Sequence, residues 1–113
     1  MSALKVVSVA KSLIGKKLNY DCFEFIQFCY KEGAGIDLPR SFSLVLVTGD
    51  SVDPNKIQIA DIIVIKSQWD IGIYIGNNQM VLAPKIRGNS ATITKMPNKY
   101  FEARRVLNKW KLI

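Results

Sequence analysis

Cys22 and Cys29 are the two thiols of the chain, and Cys22 stands where a thiol could do chemistry. It follows Asp21, a good helix-capping residue, and opens the run Cys22-Phe23-Glu24-Phe25-Ile26-Gln27-Phe28-Cys29-Tyr30. Phe25, Ile26, Phe28 and Cys29 form one wide apolar stripe at a helical period of about 3.6. In a first helical turn the free backbone N–H groups and the positive end of the dipole favour a thiolate. The thiol pKa is therefore expected to fall below its free value of about 8.5, which suits a nucleophile. The competing reading is a small core residue near a helix start. Cys29 lies seven residues on, roughly 10 Å along the same helix. A disulfide between the two would break that helix, and Cys29 reads as core.

The sequence contains no histidine. A Cys-His dyad, a Ser-His-Asp triad and a histidine-ligated metal site are therefore excluded, and two cysteines cannot build a four-cysteine zinc site. No cofactor or metal is expected.

The elements that must position Cys22 can be read in order. Val6, Val9, Ala10, Leu13 and Ile14 mark an amphipathic helix over 3–14, closed by Gly15. The Cys22 helix is expected to end near Glu32, where Gly33-Ala34-Gly35 breaks the pattern. Ser41 could cap a short helix through Val47, although Leu44 to Val47 suit a buried strand equally well. Gly49 to Pro54 reads as a loop. Strands are expected at 61–66, 70–75, 80–83, 90–94 and 103–107, with Gly76-Asn77-Asn78-Gln79 as a hairpin turn and 97–100 as a loop. Helices first and a strand meander after them argue for an α+β domain with a mostly antiparallel sheet of about five strands.

At 113 residues and 49% hydrophobic composition, the chain is expected to form a single domain, 1–113. No apolar run approaches the ~18 residues of a membrane span. Leu4 to Ile14 is interrupted by Lys5 and Lys11, so it reads as neither a span nor a secretion signal, and the compartment stays open between cytoplasm and cell envelope. The formal charge of +7 favours acidic partners such as nucleic acid, anionic lipid or an anionic cell-wall polymer. The basic residues are spread, with a gathering at Arg104, Arg105, Lys109 and Lys111 and a pair at Lys16 and Lys17.

The ordered motifs resemble the NlpC-type cell-wall endopeptidases, papain-like enzymes that cut peptide bonds in peptidoglycan stems. Tyr20-Asp21-Cys22 stands where that family has Asp-Cys-Ser-Gly, and Ile36-Asp37-Leu38-Pro39-Arg40-Ser41 is similar to its Leu-Pro-Arg-Ser/Thr segment. Ile59-Ala60-Asp61-Ile62-Ile63-Val64 resembles its Pro-Gly-Asp-Leu-Val strand. Ile71-Gly72-Ile73-Tyr74-Ile75-Gly76 resembles His-Val-Gly-Ile-Tyr-Ile-Gly, and Met80-Val81-Leu82-Ala83-Pro84 resembles Met-Ile-His-Ala-Pro. Ala103-Arg104-Arg105-Val106 closes the pattern. The resemblance implies helix over 42–47, with Cys22 at the nucleophile position. It also implies that the base histidine and the residue that orients it, twelve positions apart, are replaced by Asp70 and Leu82. The serine and glycine after the nucleophile are Phe23 and Glu24, and the glycine before the aspartate is Ala60.

A papain-like mechanism uses the imidazole to hold the thiolate and then to protonate the leaving amine. An ionised Asp70 beside Cys22 would raise the thiol pKa and has no proton to give at neutral pH. Asp70 is therefore either a solvated strand-start residue without contact to Cys22 or part of a binding cleft with Cys22, Glu24 and Trp69. Tyr20 adjoins the nucleophile, and Trp69 either covers the cleft or closes the end of the sheet. Three functional expectations follow. The first is a catalytically degenerate binding module for a peptidoglycan stem peptide or a protein partner. The second is a cysteine hydrolase or acyltransferase with a non-histidine partner, and the third is a basic adaptor whose C-terminal cluster binds an anionic polymer.

Overall fold

The computed structural model describes residues 2–98 and 101–107. Two antiparallel-sheet-covering helices come first: α1 (Ser2–Ser12), which buries Val6, Val7 and Ala10, and α2 (Cys22–Ala34), which buries Cys22, Phe25, Ile26, Cys29 and Tyr30. Gly33 does not end α2. It lies inside the helix at the crossing with α1, where an added Cβ would stand 2.6 Å from the Val6 Cα. Gly33 is the contact that lets the two helices approach, and the stop comes from Gly35, in the left-handed region at φ 69° with its N–H bonded to the Lys31 and Tyr30 carbonyls. Ser41 accepts a 3.1 Å hydrogen bond from the Leu44 N–H and caps the single turn α3 (Phe42–Val45), which resolves the helix-or-strand ambiguity in favour of helix.

The sheet has six strands in the order β1-β6-β2-β3-β4-β5, every neighbouring pair antiparallel. They are β1 (Asp50–Val52), β2 (Ile62–Ile65), β3 (Asp70–Gly76), β4 (Gln79–Leu82), β5 (Thr92–Lys95) and β6 (Glu102–Arg105). The additional strand is β1, formed inside the expected loop because β6 returns beside it; three residues carry too little periodicity to be read alone. Asn77 and Asn78, at φ 54° and 60°, make the β3–β4 turn. Side-chain alternation divides the core. Ile62, Val64, Ile71, Ile73 and Val81 face the helices, while Ile63, Met80, Ala103 and Val52 face a second cluster with Met96.

Two polar contacts fix the helices and the C-terminal strand to the frame. The Tyr30 hydroxyl donates to the Ala60 carbonyl, and Ala60 is held at φ 72° where the resemblance implies glycine. Asp61, 2% exposed, accepts from Arg105 Nε at 2.9 Å and Nη2 at 2.8 Å and from the Gln58 N–H at 2.8 Å. Arg104 donates to the Thr48 and Gly49 carbonyls. These two arginines are thus structural rather than the free half of a basic cluster; Lys109 and Lys111 lie outside the described residues.

Candidate active site

Cys22 is the first residue of α2, directly after its N-cap. Asp21 accepts from the Glu24 N–H at 2.9 Å, and Glu24 accepts from the Asp21 N–H at 3.0 Å, a reciprocal capping box. Burial pushes the Asp21 carboxyl up, but the Glu24 N–H and the guanidinium groups of Arg40 and Arg87 outweigh it and leave the pKa below the ordinary value. Arg40, from the segment before α3, pairs with Asp21, and Arg87, from the β4–β5 loop, pairs with Glu24. Two distant segments are thereby fastened to the first turn that carries the thiol.

The thiol itself is 9% exposed, and its pKa is raised, not lowered. Burial is the largest cause and the charge of Asp21 adds to it. The N–H groups of Phe23 and Cys22 and the charge of Arg40 act in the opposite direction but do not prevail. The expectation of a low-pKa thiolate is corrected here: the helix-start effect is present, and desolvation exceeds it. Cys29 is fully buried with its thiol pushed up to about 12, as suits a core residue.

Asp70 begins β3. Its side chain is 12% exposed and its carboxylate pairs with the Lys85 ammonium at 3.2 Å, which also donates to the Gln68 carbonyl at 2.8 Å. The solvated alternative for Asp70 is therefore corrected to an ion pair with a residue that sequence reasoning did not single out. Leu82 lies opposite Gly72 on β4 and packs against the cluster of Val52, Ile63, Met80, Met96 and Ala103, on the sheet face away from the helices. It offers no polar atom to orient a neighbour.

Aromatic rings link the thiol side to the Asp70 side. Phe23 meets Phe42 edge-on at 4.7 Å, and Phe42 meets Trp69 at 4.8 Å. Cys22 adjoins one end of this three-ring stack and Asp70 the other. Trp69, at φ 51° and 49% exposed, is held against Phe42. Phe42 was not foreseen; its position one residue after the Ser41 cap is the signal that could have found it. Tyr20 stacks on Phe28 at 5.4 Å, on the outer side of α2. Nearby, a hollow of about 280 Å³ is lined by Gln27, Phe28, Lys31, Asp37 and Leu38 and does not include the thiol. Among the described residues no group of three or more Cys, Asp or Glu is placed to hold a metal, and no helix is long and apolar enough to cross a membrane.

A cysteine at the start of a helix packed on an antiparallel sheet defines a papain-like cysteine-peptidase architecture. The NlpC/P60 family profile matches residues 11–109, and the chain belongs to that family. It is 34% identical over 99 residues to the murein DD-endopeptidase MepS/murein LD-carboxypeptidase of Escherichia coli, covering 82% of this chain and 53% of the relative. It is 32% identical over 85 residues to a probable endopeptidase NlpC homolog of Haemophilus influenzae, covering 75% of this chain and 45% of the relative. The chain thus spans about half the length of these relatives. In fold it is similar to RipD of Mycobacterium tuberculosis, with a TM-score of 0.76, 20% identity, and 94% and 98% of the two chains covered. RipD is described as a non-catalytic NlpC/p60 domain protein adapted to peptidoglycan binding.

Proposed function

We propose that this NlpC/P60 domain is catalytically degenerate and serves as a binding module, with a peptidoglycan stem peptide as its ligand. The observation that carries the reading is the Asp70–Lys85 ion pair, where the resemblance implies the family's base histidine, in a chain with no histidine to substitute. Losing a positioned general base commonly costs about 10² to 10⁴ in rate. A buried, protonated Cys22 and an apolar Leu82 remove the other two contributions. The relation to murein-cleaving enzymes, and a fold neighbour described as a peptidoglycan-binding non-catalytic domain, support a cell-wall peptide as ligand.

The test is calorimetric titration with a soluble stem peptide, in parallel with chromatographic detection of cleavage. Binding without cleavage is expected, retained in Cys22→Ala and weakened in Trp69→Ala. Cleavage by the wild-type chain that disappears in Cys22→Ala would overturn the proposal in favour of a working hydrolase.

A further inference from the structure

The loop from β4 to β5 is tied down by its backbone at the two ends and not between them. Ala83 N–H donates to the Ile71 carbonyl at 3.0 Å, and Gly88 N–H donates to the Leu18 carbonyl at 2.7 Å. Among the described residues, no backbone hydrogen bond joins Pro84, Lys85, Ile86 or Arg87 to another segment. Ile86, 63% exposed, gives the middle of this stretch no apolar anchor. Two side chains hold it instead. Lys85 reaches the Asp70 carboxylate and the Gln68 carbonyl on one side. Arg87 reaches Glu24 and, at 3.9 Å, Asp21 on the other.

Each side is one edge of the site. Gln68 and Asp70 flank Trp69 in sequence, and Asp21 and Glu24 flank Cys22 and Phe23. The row of Phe23, Phe42 and Trp69 joins the same two edges. Contacts therefore run in a closed circuit, from the first turn of α2 through the rings to Asp70 and back through Lys85 and Arg87. The two halves of the circuit differ in kind. The ring half is apolar contact, which salt does not screen. The other half is ionic, and its cations are half-exposed, the Lys85 and Arg87 side chains at 56% and 51%. Ion pairs of such exposure are weak and are screened by salt. One half of the circuit is thus durable and the other readily released.

We propose that residues 84–88 are a releasable strap across the cleft, latched by Lys85 and Arg87, and that releasing the latch opens the first turn of α2 to ligand. Pro84 is buried and Gly88 carries the backbone bond to Leu18, so the part that moves is short and bounded at both ends. Its opening leaves the aromatic row in place, because no ring of that row touches Lys85 or Arg87 through charge. The strap's role as a gate rests on the reading of this cleft as a binding site. Its test needs no stem peptide, so its failure leaves that reading intact.

The test follows cleavage of the full chain by trypsin, which cuts after Lys85 and Arg87, with the free peptide of residues 82–91 as reference for the protease itself. In parallel, mass spectrometry measures alkylation of Cys22, with Cys29 as the internal control for general unfolding. Raising salt from about 0.02 M to about 0.5 M should speed strap cleavage and Cys22 alkylation about tenfold, as two exposed pairs are screened. Lys85→Gln and Arg87→Gln should each speed alkylation, and cleavage at the remaining site, about threefold at low salt, and leave about a threefold response to salt. Lys31→Gln, which breaks an exposed pair with Asp37 in the last turn of α2, should change neither. Removing a cation disfavours a thiolate, so faster alkylation in the strap variants reports access rather than ionisation. Strap cleavage indifferent to salt and to both variants, cleavage that rises while Cys22 alkylation does not, or a parallel rise at Cys29 overturns the proposal.

Discussion

The Lys85 ammonium stands 3.2 Å from the Asp70 carboxylate, so the side chain where the resemblance implies a base histidine already has a cationic partner. A histidine installed at that position would meet the same ammonium, which disfavours the imidazolium needed to hold a thiolate and protonate a leaving amine. Asp70→His is therefore expected to show no cleavage of a stem peptide above the Cys22→Ala background. Chromatography of a long incubation measures it. Recovery of cleavage by that single change would show that the remaining machinery is intact and that degeneracy rests on one residue.

The Cys22 thiol should alkylate only as pH rises above the ordinary thiol range, because burial and the Asp21 charge both hold it protonated. Asp21→Asn keeps a capping side chain while removing the like charge. Its titration midpoint should move down relative to wild type. Cys29→Ser serves as background, and mass spectrometry of iodoacetamide-treated protein across pH gives both midpoints. A wild-type midpoint below the free-thiol value of about 8.5 would contradict the balance of burial and helix-start effects described above.

Local signals and long-range geometry were unequally legible in the sequence. Asp21 before an apolar stripe located the start of α2, and Asn77-Asn78 located the hairpin turn, because capping and positive-φ turns are decided within a few residues. β1 was missed because its pairing partner, β6, is some fifty residues away. Toward the site, the ordered motifs pointed to Cys22, Asp70 and Leu82 as the positions to inspect, whereas the Lys85 and Arg87 contacts carried no such signal. Both come from a loop with no periodic pattern. The Cys22 pKa was misjudged for a similar reason, since burial depends on which segments close over the helix start.

Asp61 and Arg105 form the most buried ion pair among the described residues, the carboxylate being 2% exposed. Replacing one partner leaves the other charge poorly solvated, which commonly costs about 3 to 5 kcal/mol. Asp61→Asn should fall near the lower end, about 3 kcal/mol, because the Arg105 side chain is 16% exposed and can recover some water. Urea denaturation would measure it. A loss under about 1 kcal/mol, the range of exposed pairs, would mean that β6 is not held by this contact.

Gly33 at the α1–α2 crossing makes a different demand. Alanine is the better helix former by about 1 kcal/mol, yet its Cβ would press on Val6 backbone atoms that cannot rotate away. Gly33→Ala should therefore destabilise the domain by about 1 to 3 kcal/mol, as overpacked cores do, despite its favourable propensity. Thermal unfolding decides the sign, and a raised melting temperature would refute the close crossing.

Acid should loosen the turn that carries Cys22. The Asp21 pKa is lowered in the folded chain, where the Glu24 N–H, Arg40 and Arg87 favour the carboxylate against the opposing effect of burial. A depressed folded pKa contributes stability that is present above the unfolded value of about 3.9 and is lost as pH falls through the folded value. Asp21→Ala should cost about 1 kcal/mol at neutral pH, as lost N-caps do. Its deficit relative to wild type should shrink as pH is lowered through that window. Urea titrations of both proteins at neutral pH and across the acidic range would show the convergence, and a deficit independent of pH would assign the whole effect to helix geometry rather than to the charge on Asp21.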